Sequence, residues 1–441
     1  MMKFREGLMT ILLSFLCALS GDAGQGDAPV HAGPSLVQEQ LGLIKKNASS
    51  EQVTENGSGL FFPGQRCTIF YASDGQTTLA GSNEDSNFLT TNILFLPAAE
   101  GKFGRVYFGS DVARFPQGGM NEQGLFFDAA TLDEVTVVPR DPSKPAIKGQ
   151  LILKAMEECT TVEDVRRIFT SYDFSGPMNG HYLVGDKDGN SMIIEGQTFT
   201  RKKGRYQIIT NFSQSKIAPE RITDYRYRIA SQLLEQAATI SVDLFRRVLS
   251  ATHFEQSHGE MSTTLYSYIC DLKKGDIYLY NFHNFEEAAK INLEEELKKG
   301  KGMRSILSFF PYMTYTERSY RLERTQRLFY DLAVKHDMKG EEGVVSVYQS
   351  QVDVLSKDTT LRLLTNSGGR LLADGKLQEA IEIFEFIVSE DPAFPYGYEG
   401  LGEAYMKIGD KEKAILNYQK TLEINPGNSR AKERLKQLGI K

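Results

Sequence analysis

Tryptophan is absent from this chain, histidine occurs only six times and cysteine only four. Phenylalanine (26) and tyrosine (20) take over as core-forming aromatics, so the lack of tryptophan does not exclude a sizeable core. The histidines are scattered, and no H-E-x-x-H pair would hold zinc on one helix face. His253 and His258 are the closest pair able to share a site, and the isolated histidine of "NGHYLVG" reads as structural. No G-x-x-x-x-G-K-[ST] loop offers backbone amides to nucleotide phosphates. No G-x-S-x-G elbow presents a serine nucleophile. A net charge of −6 and the lack of a basic stripe exclude a general nucleic-acid binder. Beyond the first two dozen residues no segment is apolar enough to span a bilayer. Neither a metal nor an organic cofactor is expected.

The chain opens with Lys3 and Arg5, followed by an apolar run from Gly7 to Leu19 that is too short for a comfortable membrane span. Ala18 and Ser20, or Gly21 and Ala23, stand at cleavage spacing, so residues 1–23 read as a secretory signal peptide. The protein is then expected to be secreted or periplasmic, with no integral membrane domain after signal removal. Cys17 lacks the small residue expected just before a lipidated cysteine, which argues against a lipoprotein. Cys67, Cys159 and Cys270 remain, and an odd count leaves at least one thiol unpaired. A Cys159–Cys270 disulfide and two buried thiols both fit.

Residues 24–66 are rich in Gly, Ala, Ser, Asn and Gln and read as a pro-segment or linker. The texture changes at Cys67. "CTIFYAS", "TTLAGSN", "NILFLPA", "RVYFGS" and "GLFFDAA" are short aromatic and β-branched runs broken by turn residues. "GQLILKAMEEC" and "TVEDVRRIFTSY" are helical, the second starting at a cap-like Thr161 with Asp164 three residues on. A hairpin over "HYLVGDKDGNSMIIEG", two more helices and a last hairpin over "TTLYSYICDLKKGDIYLYNFHN" complete an α+β layered domain over 67–295. Residues 296–360 read as a charged helical connector. In 361–441, Ala380, Phe384 and Pro392 recur as Ala414, Tyr418 and Pro426, a period of about 34 that marks tetratricopeptide repeats. "SRAKERLKQLG" reads as their capping helix.

The chemistry is best sought at Cys67. If the bond after Arg66 is cut, Cys67 carries both a thiol and a free α-amine, with reference pKa values of about 8.5 and about 7.7–8. The amine can take the thiol proton and serve as a built-in base without any histidine. Such a site needs a carboxylate to hold the ammonium and donors aimed at the oxyanion. Asp85, in "GSNEDSN", ends the strand expected to pair with the Cys67 strand. Asn211, in "IITNFS", ends another and offers a neutral amide donor.

At these residues the chain resembles the cysteine branch of the N-terminal nucleophile (Ntn) hydrolases, which includes choloylglycine hydrolase, penicillin V acylase, the isopenicillin acyltransferase and acid ceramidase relatives. Cys-Thr at a strand start is followed about fifteen residues on by Gly-x-Asn-x-Asp. "MNEQGLFFDAATLD", "LVGDKDGNSMIIEG", "IITNF" and "TTLYSYICDLKKGDIYLY" then resemble the family's later segments in order. The likeness spans roughly residues 67–285. It implies a four-layer αββα sandwich, here followed by the all-α repeat tail. It also implies Cys67 as nucleophile and base, Asp85 orienting the α-amine and Asn211 helping to form the oxyanion hole. The chain departs from the family at Ser82, where the bile salt hydrolases have arginine, and at Thr131, the nearest match to a family asparagine. The later family arginine has three counterparts, Arg221, Arg226 and Arg228. Arg226, with Asn83 and Thr131, is taken as substrate-binding or supporting.

The resemblance implies an exported amidohydrolase acting on linear C–N bonds of small N-acyl compounds through a Cys67 thioester. Removal of the segment ending at Arg66 would proceed by attack of the Cys67 thiol or by a protease of basic specificity. An acyltransferase would use the same thioester. In a third reading the first domain is silent and the repeats dock a protein or peptide partner.

Overall fold

The computed structural model of the chain describes residues 67–147, 149–255, 262–340 and 342–440. The expected signal peptide, the pro-segment with Arg66, and His258 lie outside the described residues.

Two antiparallel sheets form the first part of the fold. The six-stranded sheet runs β10 (Tyr206–Ile209), β1 (Cys67–Ser73), β2 (Thr78–Ser86), β11 (Thr263–Asp271), β12 (Asp276–Asn281) and β13 (Asn284–Asn292). The eight-stranded sheet runs β14 (Gly302–Ser305), β3 (Asn92–Leu96), β4 (Arg105–Gly109), β5 (Gly118–Asn121), β6 (Phe126–Val138), β7 (Gly176–Gly185), β8 (Ser191–Glu195) and β9 (Thr198–Arg201). Side-chain alternation assigns each strand one face to the space between the sheets and one to the helices. Ile69, Tyr71, Phe95, Phe108, Phe126 and Tyr268 fill the inter-sheet core. Full burial of such a side chain contributes about 1.5–3 kcal/mol. Helices α1 (Leu151–Glu158) and α2 (Val162–Ser171) cover the outer face of the larger sheet. Helices α3 (Tyr225–Gln236) and α4 (Val242–Thr252) cover the smaller one. The result is the expected α+β, αββα sandwich. Helix α2 starts where its capping box predicts, with Thr161 and Asp164 bonded reciprocally.

The segment 296–360, expected to be a helical connector, is not helical throughout. Gly302–Ser305 instead joins β3 as an edge strand of the larger sheet. Its four residues carry no apolar alternation, so only pairing with β3 makes them a strand. The short α5 (Leu293–Lys298) precedes it, and the tail proper starts with α6 (Tyr315–Val334) and α7 (Val344–Leu355). Then come α8 (Lys357–Ala373), α9 (Leu377–Glu390), α10 (Pro395–Ile408), α11 (Lys411–Ile424) and α12 (Ser429–Gln437). A Cβ at Gly368 would lie 2.7 Å from the Phe384 ring, and one at Gly402 would lie 2.7 Å from the Tyr418 ring. The same glycine–aromatic contact thus recurs one repeat later, which is why small residues keep that spacing.

Helix α6 holds the tail against the sandwich. Arg321 is 1% exposed; its Nε donates to Glu317 Oε1 at 2.8 Å and its Nη1 to the Leu89 carbonyl at 3.0 Å. Asn281 on β12 donates to the other Glu317 oxygen at 2.6 Å. Among the described residues, no helix is long and apolar enough to cross a membrane.

Candidate active site

Strands β1 and β2 pair with Cys67 opposite Glu84, so Asp85 falls one residue beyond the described start of β1. On the other side, β10 pairs with β1 and delivers Asn211 two residues past its end. The Cys67 N–H donates to Asn211 Oδ1 at 3.0 Å. Arg226, buried on α3, donates from Nη1 to the Cys67 carbonyl at 3.2 Å and from Nη2 to Asn211 Oδ1 at 2.9 Å. Its Nη1 is also 3.6 Å from Asp85 Oδ2. Asp85 Oδ1 accepts the Thr264 hydroxyl. Four sequence-predicted residues, Cys67, Asp85, Asn211 and Arg226, are therefore in one cluster. Arg221 and Arg228 are exposed, which leaves Arg226 as the arginine at the site.

Three details differ from expectation. The Asn211 amide nitrogen, expected to face an oxyanion, donates instead to the Thr131 carbonyl at 2.9 Å. The orientation is fixed by its partners: two donors meet Oδ1 and one carbonyl meets Nδ2. Thr131 thus enters through its backbone, as the group that orients Asn211. Asn83 turns away from Cys67. It donates to Leu249 O at 2.9 Å and Thr252 Oγ1 at 3.1 Å and accepts from Ser267 Oγ at 2.6 Å, fastening the sheet to α4.

The Cys67 side chain points between the sheets and is 1% exposed. Its Sγ lies 3.9 Å from Glu84 Oε2, and Ser82 Oγ donates to Glu84 Oε1 at 2.6 Å. Glu84 is in turn hydrogen-bonded to Asp128 on β6, and Tyr268 Oη donates to Asp128 Oδ2. Both carboxyls are fully buried. Burial pushes Asp128 well above the usual carboxylate range, and the charge of Glu84 adds to it. Glu84 is raised too, by burial, with the Asp128 bond pulling back. The Cys67 thiol is pushed well up by burial, then by Glu84, Asp85 and Asp128, so it is neutral in this uncut chain. Gly118 makes room for this cluster, since a Cβ there would sit 2.1 Å from Tyr268 Oη.

Sequence reasoning did not assign Glu84 and Asp128. The signal was present: in "GLFFDAA", Asp128 shares the inward face of its strand with Phe126 and Ala130. His181 was read as structural, and its ring nitrogens meet Glu195 Oε1 at 2.9 Å and Thr210 O at 2.7 Å, one residue before Asn211. Burial alone would raise Glu195, but hydrogen bonds from His181 and Ser215 outweigh it and hold the carboxyl at about 2. Cys159 and Cys270 are buried free thiols, which decides against their disulfide. A further cluster at the end of the smaller sheet joins His253 to Glu255 and His283, one ligand atom of each within 4.8 Å of the others.

The architecture and the cluster define a four-layer αββα protein with a buried thiol at the start of its first described strand and a helical-repeat tail. A family model for the tetratricopeptide repeat matches residues 371–438. No curated protein matches the chain. Among solved structures it is similar to a mutant of the conjugated bile acid hydrolase from Clostridium perfringens, at 16% identity and a TM-score of 0.44, covering 56% of this chain and 97% of that one. It is also similar to penicillin V acylase from Agrobacterium tumefaciens, at 16% identity and a TM-score of 0.37, covering 54% and 90%. A third likeness is to the Caenorhabditis elegans ortholog of N-acylethanolamine-hydrolyzing acid amidase, at 12% identity and a TM-score of 0.34, covering 47% and 93%.

Proposed function

We propose that this protein is an exported cysteine amidohydrolase that cleaves linear C–N bonds of small N-acyl compounds through a Cys67 thioester, once the segment ending at Arg66 is removed. The observation that carries this reading is the convergence of Asn211 and Arg226 on the backbone of Cys67, with Asp85 beside Arg226. A cysteine that served only as core filling would not need its own N–H and carbonyl held by a buried guanidinium and amide. In the cut chain, the nitrogen that now donates to Asn211 Oδ1 becomes the α-amine. Asn211 fixes its position, and the neighbouring Asp85 carboxylate favours the ammonium that forms when it takes the thiol proton. The thiolate adds to the substrate carbonyl, the amine departs, and water hydrolyses the thioester. Asn211 therefore acts here as an acceptor that positions the base. The repeat tail supplies a surface for a protein or peptide partner.

The test is intact mass and N-terminal sequencing of the exported protein beside Cys67→Ala, followed by a panel of N-acyl 4-nitroanilides. A mature chain beginning at Cys67 that releases nitroaniline, with Cys67→Ala uncut and inactive, is the expected result. Equal N-termini in both proteins, upstream of Cys67, together with no turnover, defeat the reading.

A further inference from the structure

Self-cleavage before Cys67 poses a problem that the mature site does not have. In the uncut chain the nitrogen of Cys67 is an amide, already donating to Asn211, and it has no basic lone pair to offer. Some other group must take the thiol proton. Asp85 lies on the helix-facing side of β2, bonded to Thr264 and next to Arg226. Glu84 lies on the thiol's own side, with Oε2 3.9 Å from Sγ. Ser82 donates to one oxygen, and Asp128, itself receiving the Tyr268 hydroxyl, is bonded to the carboxyl.

We propose that Glu84 is the base of self-cleavage, and that it shares with Asp128 the one proton the two carboxyls hold. The proposal rests on the reading of Cys67 as nucleophile. The Glu84 carboxylate takes the Sγ proton, and the thiolate adds to the carbonyl carbon of residue 66. The adduct collapses with rupture of the bond to the Cys67 nitrogen, and that nitrogen takes the proton from Glu84. The products are a thioester on Sγ and a free α-amine. Water hydrolyses the thioester, releasing the upstream segment as a carboxylic acid and restoring the thiol. Glu84 ends as it began, and water is the one co-reactant. Thereafter the α-amine is the base.

The ionisable groups facing Glu84 are Cys67 from β1, Asp128 from β6, and Tyr266 and Tyr268 from β11. None is cationic, and among the described residues no ion pair includes Glu84 or Asp128. Two such carboxyls in contact and out of water cannot both ionise. Of the two, Glu84 is the one whose oxygen reaches Sγ, so its carboxylate is the one placed to act as the base.

The experiment follows cleavage of freshly translated full-length chain by intact mass across a pH series. Glu84→Gln is expected to slow cleavage by about 100-fold or more. Asp128→Asn is expected to slow it less, because its amide can stand in for the protonated acid. The wild-type rate should fall as pH drops through the titration of the pair and level off above it. A second set of full-length chains carries an enteropeptidase sequence in place of residues 62–66. External cutting of Glu84→Gln then exposes Cys67, whose thiol becomes reactive to iodoacetamide, showing an intact site. If Glu84→Gln does not fold, Glu84→Asp takes its place: it keeps the charge but withdraws it from Sγ, and slowed cleavage is expected. Equal cleavage rates in wild type and the Glu84 variants overturn the proposal and leave the nucleophile reading standing. Thiols that stay unreactive in the cut variant overturn the restriction of Glu84 to processing. A wild-type chain that never exposes Cys67 defeats the nucleophile reading, and this proposal with it.

Discussion

Two buried carboxylates in this molecule have opposite company. Glu317, on the helix that docks the tail, is fully buried, and both of its oxygens are satisfied: one by the Arg321 guanidinium, the other by the Asn281 amide. Glu84, beside the Cys67 thiol, is equally buried, but its carboxyl neighbour is Asp128 and among the described residues no cation answers it. The first arrangement is what a structural joint needs, because a buried charge is tolerable only when paired and hydrogen-bonded. The second costs stability at neutral pH and persists where a proton has to move. The contrast separates holding from reacting within one chain.

The largest expected effect breaks the paired site. Arg321→Met leaves Glu317 buried without its cation and should cost about 3–5 kcal/mol in urea unfolding followed by circular dichroism. Replacing both partners, Glu317→Leu with Arg321→Met, should recover most of that loss, since the unpaired charge goes too. An intermediate effect is expected at Glu195. Its carboxyl is held at about 2, below its unfolded value, so its contribution is present above an ordinary carboxylate pKa and is lost as pH falls toward 2. Glu195→Gln should remove about 1–2 kcal/mol of stability at neutral pH, and with it that part of the acid dependence.

The smallest effect has the opposite sign. Glu84 and Asp128 titrate above their unfolded values, so over that window the folded chain binds more protons than the unfolded one. Stability therefore falls as pH rises through the window. Glu84→Gln should leave the neutral-pH fold unchanged or more stable by about 1 kcal/mol, and flatten that slope in thermal melts at several pH values. A loss as large as that of Arg321→Met would show that Glu84 is a structural residue after all.

Much of the fold was legible residue by residue. The cap at Thr161, the hairpin turn at Asp188, Gly189 and Asn190 and the repeat positions of Phe384 and Tyr418 are local signals, and the structure uses each as read. Some motifs behind the family resemblance hold the fold. Asn121 ties its turn to α1 through the carbonyls of Met156 and Cys159, and Asp186 accepts the Val162 N–H at the start of α2. Of the site, Cys67, Asp85, Asn211 and Arg226 were legible because three end or begin strands and the fourth was one of three arginines on a short segment. The roles within the cluster were not. Which end of the Asn211 amide faces Cys67 depends on Thr131 and Arg226, which belong to the other sheet and to a helix.

By itself the sequence determined most strands and helices of the first domain, the Thr161 cap, the repeat period and the cysteine at the start of the first described strand. Those follow from periodicity, turn chemistry and composition, which act over a few residues. Tertiary structure alone decided that Arg226 rather than Arg221 or Arg228 meets Cys67, that Gly302–Ser305 is a strand, and that Glu84 and Asp128 share a buried site. Each of these depends on groups from different elements being desolvated together, and that electrostatic cost exists only once the two sheets have closed on one another.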